Sequence, residues 1–567
     1  LAAQYSLIDS NGKIISELKK ESTGEFNLPI PELAEGNYTL LIQVGEYKTE
    51  KLIRKLAKLP GEVRFDENKV MYVDGKKTIP YGWFSFPFGE KDLQDLSEIG
   101  YTLHVWYASP GNNDDQIREC LNRFAKAGIK CALYPYPNYT MNTGEAVRRP
   151  LNQEEAAAIR QRVRNLKNHP ALLGWYLHDE PELRAGLPAR FMEIHDICQD
   201  EDPYHPTIIL NTTVAGIHKF AEVADISMPD IYPAFIDGGD AGVDLSVIFN
   251  SNMTGNEASE RINWFTPQGF DWSDFGRPGQ RAPNFVELRN MQYQAVLSGA
   301  TGFCWFSWAY LESMPEVYLG VNHLVKEARV LSELWFNPQK KVLLPSDSPQ
   351  VIAANYPDIN GVDYIIAVNN TTVSKKIELP ASKNLYYALG EKLSFKINNK
   401  KLSDNLEKYQ VRVYCSDKEI ADSFDLNGYK PLLKKALKDL HREGNLAYAY
   451  KTGVKIELQQ ENPGGYPAWH LSDGVYRRSF ILSEKDREDA IVSITFPKKV
   501  TASKIKLFGK GLKSAELEIK RNGNWVKVAN LEKVDDEYLE AEWKKEKFDK
   551  LRLIRINAGR ISEIEVY

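Results

Sequence analysis

The chain is poor in cysteine. Cys120, Cys131, Cys198, Cys304 and Cys415 are scattered over 567 positions, odd in number and mostly inside apolar runs. No CxxC or CxxH spacing suggests zinc, so they are expected as buried thiols. There is no stretch of about 18 apolar residues, which excludes a helical membrane span. Neither sign of charge dominates. Lys and Arg number 72 against 77 Asp and Glu, a net charge of −5. Nothing in that balance points to a nucleic-acid or polyanion partner. Hydrophobic residues are 43% and charged residues 26%, which rules out wholesale disorder. What is abundant is aromatic: 11 Trp, 29 Tyr and 23 Phe.

At roughly 150 residues per domain, the length suggests three or four domains. Residues 1–60 alternate apolar and polar between Gly, Pro and Asn turns, the pattern of a small β-sandwich-like domain. Over 61–337 strands alternate with helical stretches. Eight strand candidates occur: Thr78–Phe86, Tyr101–Ala108, Lys130–Pro137, Leu172–Pro181, Pro206–Thr213, Asp225–Pro233, Arg261–Phe270 and Thr301–Tyr310. Asn152, with Glu154 and Glu155 behind it, reads as a helix N-cap followed by an acidic first turn. Eight strand–helix units in this length predict a (β/α)8 barrel. A doubly wound sheet is the runner-up, but no Gly-rich phosphate loop follows the first strand. Residues 338–416 return to strands as a second β-sandwich. A helical linker covers 417–440, and 441–567 is again all-β.

In such a barrel, functional groups sit at the C-terminal ends of the strands. Strand 4 runs from an apolar, aromatic stretch straight into His178, Asp179, Glu180, Pro181 and Glu182. Acids there are costly to desolvate unless used or paired, and a partly buried Glu with raised proton affinity suits a general acid. The plainer alternative is a surface acid pair capping the next helix. Strand 6 ends with Asp230 and Tyr232, where Asp230 equally suits a turn between prolines. Strand 7 ends with Gln268. Tyr81, Trp83, Trp106, Tyr134, Tyr136, Trp305 and Trp308 fall near the ends of strands 1, 2, 3 and 8. Flat aromatic rings match the apolar C–H faces of pyranoses, so Trp83, Trp106, Tyr134, Tyr136, Tyr232, Trp305 and Trp308 are expected substrate contacts, although any one of them also suits the core. His178 is included with them, with Asp230 and Gln268. His104 and His178 also fit as structural histidines, and no second nearby ligand argues for a metal.

On these residues the chain resembles glycoside hydrolases of the large retaining (β/α)8 clan, clan A. The resemblance covers about 61–337 and is carried by strand order and by "NHPALLGWYLHDEPE". In that clan strand 4 ends Asn-Glu-Pro and the Glu is the acid/base, which implies that role for Glu180. Asp179 departs from the clan's Asn. A larger departure is Gln268, where the clan carries its nucleophilic Glu. Four explanations stay open. The strand alignment is shifted and Glu287 or Glu312 supplies the carboxylate. Asp179 orients a 2-acetamido group as internal nucleophile in substrate-assisted catalysis. Asp230 serves an inverting arrangement. Or the barrel binds sugar without cleaving it.

The tail is similar to discoidin-type (coagulation-factor C-type) jelly rolls over about 441–567, with Leu471-Ser472-Asp473-Gly474 as the best-matching turn. That resemblance implies carbohydrate binding from loops at one end and a possible structural Ca²⁺, with no other cofactor. A plain structural appendage is the alternative. Together these features predict a glycoside hydrolase acting on a poly- or oligosaccharide, with a non-catalytic glycan-binding protein as the alternative. The expected location is secreted, periplasmic or cell-surface. Leu1-Ala2-Ala3-Gln4 has neither a charged n-region nor an apolar core, so any signal peptide is expected to have been removed.

Overall fold

The computed structural model describes residues 2–21, 30–85, 89–233, 235, 244–275, 277, 280–345, 350–459, 467–476, 480–481 and 490–567. The chain divides into two compact units, 1–62 and 63–567. The first is a four-stranded antiparallel sheet in the order Ile14–Glu21, Ala2–Asp9, Gly36–Val44, Tyr47–Lys55.

The second unit is built on a closed barrel of eight parallel strands. They are β1 (Tyr81–Ser85), β2 (Leu103–Trp106), β3 (Lys130–Leu133), β4 (Leu172–Asp179), β5 (Thr207–Asn211), β6 (Ile226–Pro229), β7 (Ile262–Phe265) and β8 (Gly302–Trp305). One helix follows each strand: α1 (Glu90–Ile99), α2 (Asp114–Ala127), α3 (Gln153–Leu166), α4 (Pro188–Glu201), α5 (Val214–Lys219), α6 (Ser246–Ala258), α7 (Phe285–Leu297) and α8 (Pro315–Val330). The expected (β/α)8 order is present, with each strand shorter than its apolar run; Phe86 lies outside the described residues. Asn152 caps α3 in a reciprocal capping box with Glu155, and the same device opens α2 with Asn113 and Gln116, and α7 with Asn284 and Glu287.

Side-chain direction follows from who meets whom. Phe84 of β1 touches Tyr176 of β4, three strands away around the barrel, so both fill the interior. Trp83, one residue earlier, points the other way and packs on Trp305 and Trp308. Trp308 in turn meets Tyr318 of α8. All five cysteines are buried and free of disulfides.

Two β regions complete this unit. A six-stranded antiparallel sheet spanning Val342 to Cys415 docks on α7. Asn290 Nδ2 donates to the carbonyls of Asn369 and Tyr409, each at 2.9 Å. Beside it, Arg289 is buried and paired with Glu327 of α8 at 2.6 Å, and also donates to the Val411 carbonyl. The C-terminal region is an antiparallel sheet with its own core, including Leu507, Leu517, Leu553 and Ile564. Its longest strands, Val492–Lys510 and Tyr538–Asn557, pair along most of their length.

The Leu471–Gly474 turn, the best match to the discoidin-type pattern, is internal. Leu471, Ser472 and Asp473 are fully buried. Gly474 has φ +83, and a Cβ there would lie 2.4 Å from the Leu440 carbonyl oxygen, so the helix Lys430–His441 packs directly against the turn. Among the described residues no group of three or more His, Cys, Asp or Glu is arranged to hold a metal ion.

Removing one partner of a buried ion pair leaves the other uncompensated. Glu327→Ala should therefore cost about 3–5 kcal/mol in urea unfolding followed by tryptophan fluorescence. A loss below about 1 kcal/mol, the level of an exposed pair, would contradict this role.

Candidate active site

The fourth strand brings two adjacent acids to the same opening by two local deviations. Tyr176 pairs with Ile208 and His178 with Ile209, so β4 carries one extra residue opposite β5. This bulge resets the alternation. Asp179 returns to the side of Tyr176 and accepts a hydrogen bond from its hydroxyl at 2.7 Å. Tyr107, in the loop after β2, donates to the other carboxylate oxygen at 3.0 Å. The next residue, Glu180, is left-handed (φ 48, ψ 56), a conformation costing a non-glycine residue on the order of 1 kcal/mol. Its N–H bonds to the Leu210 carbonyl at 3.2 Å, and Pro181 then starts a short 3₁₀ turn. The Glu180 side chain lies beside Thr212 and Asp230. Asp230 follows directly on β6, with its N–H on the Asn211 carbonyl at 3.1 Å. It is buried beside Tyr232, and its Oδ1 has no hydrogen-bond partner among the described residues.

Asp179, Glu180 and Asp230 thus meet at the C-terminal ends of β4 and β6. Burial raises the proton affinity of all three, and the charges of their neighbours raise it further: Glu182 acts on Asp179, Asp179 on Glu180, and Glu180 on Asp230. Arg184 and the two tyrosines pull Asp179 back down in part. Carboxyls crowded in a desolvated place cannot all ionise, so a proton is retained among the three. Glu182 plays a different part. Its carboxylate accepts from Asn211 Nδ2 and from the amides of Thr212 and Thr213, tying the turn after β4 to the end of β5.

The expected aromatic contacts divide. Tyr134 lies beside Tyr176 and Tyr136 under Asp179, and Tyr232 beside Asp230. Tyr136 is buried, with its hydroxyl spent on the Leu177 carbonyl. Trp83, Trp106 and Trp305 do not line the opening. They are at most 3% exposed and lie on the outward face of their strands. Trp83 and Trp305 pack on each other, Trp106 shares a face with His104, which stacks on Phe124 of α2, and Trp308 packs toward α8. His178 is also corrected. The bulge turns it against Phe191 of α4, its Nε2 3.2 Å from the Asn142 carbonyl, and burial lowers its pKa to about 4.

The aromatic wall at the mouth is a set the strand ends did not reveal. Tyr232 contacts Phe270, Trp272 and Phe306. Phe275, 42% exposed, contacts Phe270, Phe306 and Tyr310. Tyr107, 37% exposed, lies on the acid side, against Asp179. Phe270, Trp272 and Phe275 come from "GFDWSDF" after β7, where three aromatics beyond a strand end were the available signal.

Neither Glu287 nor Glu312 replaces the amide at β7. Gln268 is buried, its Nε2 donating to the Phe270 carbonyl at 3.1 Å. Glu287 is held by Arg281 and closes the cap of α7. Glu312 is exposed in the turn after β8.

No protein-family model and no curated protein sequence matches this chain. Solved structures with similarity include a glycoside hydrolase, with a TM-score of 0.44 and 12% identity over 64% of this chain and 98% of its own. A putative α-galactosidase from Bacteroides fragilis gives 0.41 and 12% over 73% and 92%. A family 39 glycoside hydrolase from the gut symbiont Bacteroides cellulosilyticus gives 0.39 and 12% over 73% and 94%. At scores this low the likenesses carry no argument about chemistry; the barrel rests on its own strand order and the site on its own geometry.

Asp230 binds its proton more tightly folded than unfolded. The associated stability is complete below the ordinary Asp value near 4 and is lost as pH rises through the raised folded value. Asp230→Asn should therefore melt higher than the wild type at pH 8, with the difference closing as pH falls toward about 4. Equal melting at both pH values would show that Asp230 is not strained by its neighbours.

Proposed function

We propose that the chain is a glycoside hydrolase acting on a poly- or oligosaccharide, with Glu180 as general acid and then base. The observation that carries this reading is the crowding of Asp179, Glu180 and Asp230, each with raised proton affinity, at the strand ends of the barrel beside an aromatic wall. In this proposal protonated Glu180 donates to the glycosidic oxygen as the anomeric C–O bond breaks. Glu180, now a carboxylate, takes a proton from the water that attacks the anomeric carbon. Asp179, fixed by Tyr107 and Tyr176, faces the positive charge developing there. Sugar rings stack on Tyr232, Phe275 and Phe306.

Gln268 cannot form a glycosyl ester, which favours the substrate-assisted version. There the substrate's own acetamido oxygen attacks the anomeric carbon and Asp179 holds the amide N–H. The same amide favours a second reading, a barrel that binds glycan without cleaving it. A secreted, periplasmic or cell-surface setting goes with either reading. Among the described residues no helix is long and apolar enough to cross a membrane.

A panel of aryl glycosides including N-acetyl-glucosaminide and N-acetyl-galactosaminide separates these readings. Glu180→Gln should lower kcat/KM by roughly 10²–10⁴-fold on whichever substrate is cleaved. Unchanged turnover removes Glu180 from the role, and sugar binding without turnover supports the binding protein. A thiazoline should inhibit the substrate-assisted enzyme; equal cleavage of substrates lacking the acetamido group would sink that version.

A further inference from the structure

The wall of the mouth is held from outside the barrel. Asp274 sits between Trp272 and Phe275 in the 3₁₀ turn after β7 and is buried. Its Oδ1 meets His470 Nε2 at 2.9 Å and the Trp469 indole N–H at 3.2 Å. Both partners come from the short 3₁₀ segment Ala468–Ser472 that leads into the C-terminal sheet. The other imidazole nitrogen, Nδ1, lies 2.6 Å from Asp473 Oδ2, and Ser313, in the turn after β8, donates to that same oxygen at 2.6 Å. The ring stacks on Trp469 (3.9 Å) and on Tyr310 of the β8 loop (5.3 Å). His470 therefore grips the two loops that supply Trp272, Phe275, Phe306 and Tyr310.

We infer that His470 is a positioning residue for the glycan-binding wall, so that the C-terminal β region completes the mouth of the barrel instead of binding sugar at a distance. The inference rests on the glycosidase reading for its kinetic consequence but not for its geometry. The ionisable groups that face the imidazole are Asp274 on the β7 loop, Asp473 on its own turn and the Tyr310 phenol on the β8 loop. Burial opposes a charge on the ring, but the hydrogen bonds and charges of Asp274 and Asp473 outweigh it and hold the imidazole above its ordinary value. The charged clamp is therefore complete below about pH 6.5 and is released as pH rises through the raised value.

Hydrogen exchange on the full-length chain reads the clamp directly. In His470→Ala, amides of Asp271–Phe275 and Leu311–Ser313 should exchange roughly tenfold faster, while the barrel strands keep their protection. In the wild type the same two segments should lose protection selectively at alkaline pH. With a cleaved aryl glycoside, KM should rise by roughly tenfold with kcat within about threefold, the mark of lost uniform binding. Trp469→Phe deletes one donor to Asp274 and keeps a ring. It should give a smaller rise at the same segments, and it stands in if His470→Ala does not fold. Unchanged exchange at both loops in the folded variants, or a pH-independent wild type, overturns the inference. If the wild type cleaves no glycoside, the function proposal fails and the exchange data still decide this one.

Discussion

The acids at the mouth meet because β4 carries one residue more than its neighbour. Strict alternation from Tyr176 would send Asp179 into the helical shell and leave His178 inside. The bulge at Leu177 exchanges them. Asp179 then lies over Tyr176, and the left-handed Glu180 swings its carboxyl to Asp230. Both devices cost free energy and leave desolvated carboxyls close together. Such local costs persist where the surroundings impose them: here Pro181, the Glu180 amide bond to Leu210 and the clasp of Glu182 on Thr212 and Thr213.

The proton economy follows from the same crowding. Three acids with little compensating charge cannot all ionise in a desolvated place, so a proton is retained among them. Glu182, two residues from Glu180, adds its charge to the crowding, but its own carboxylate is satisfied by the amides of Thr212 and Thr213. Its neighbours lack that satisfaction and are the chemically available groups.

Much of this was legible in the residues. Strand order came through because helical and strand periodicity differ and each apolar run was bounded by turn residues. The Asp-Glu-Pro ending of β4 pointed to the acids, and Asp230 with Tyr232 was visible as the end of β6. The phase of each strand was not legible. A run such as Tyr81–Ser85 shows a period of two but not which face is inward, because partners distant in sequence decide it; Phe84 finds Tyr176, and Trp83 finds Trp305. For that reason the strand-end tryptophans went to the strand–helix layer, while Phe270, Trp272 and Phe275 of the β7 loop formed the wall. The bulge had no local signal, and the grip of His470 on Asp274 spans 196 residues, beyond any window of sequence pattern.

The central claim is that Glu180 is an acid whose proton is retained by its neighbours and used on a glycoside. The most direct measurement is the pH dependence of kcat/KM on a cleaved aryl glycoside, compared between the wild type and Asp179→Asn. The charge of Asp179 raises the proton affinity of Glu180. The alkaline limb should therefore move to lower pH in the variant, whatever its loss of rate. An alkaline limb that stays in place, or no hydrolysis of any glycoside at any pH, would contradict the account.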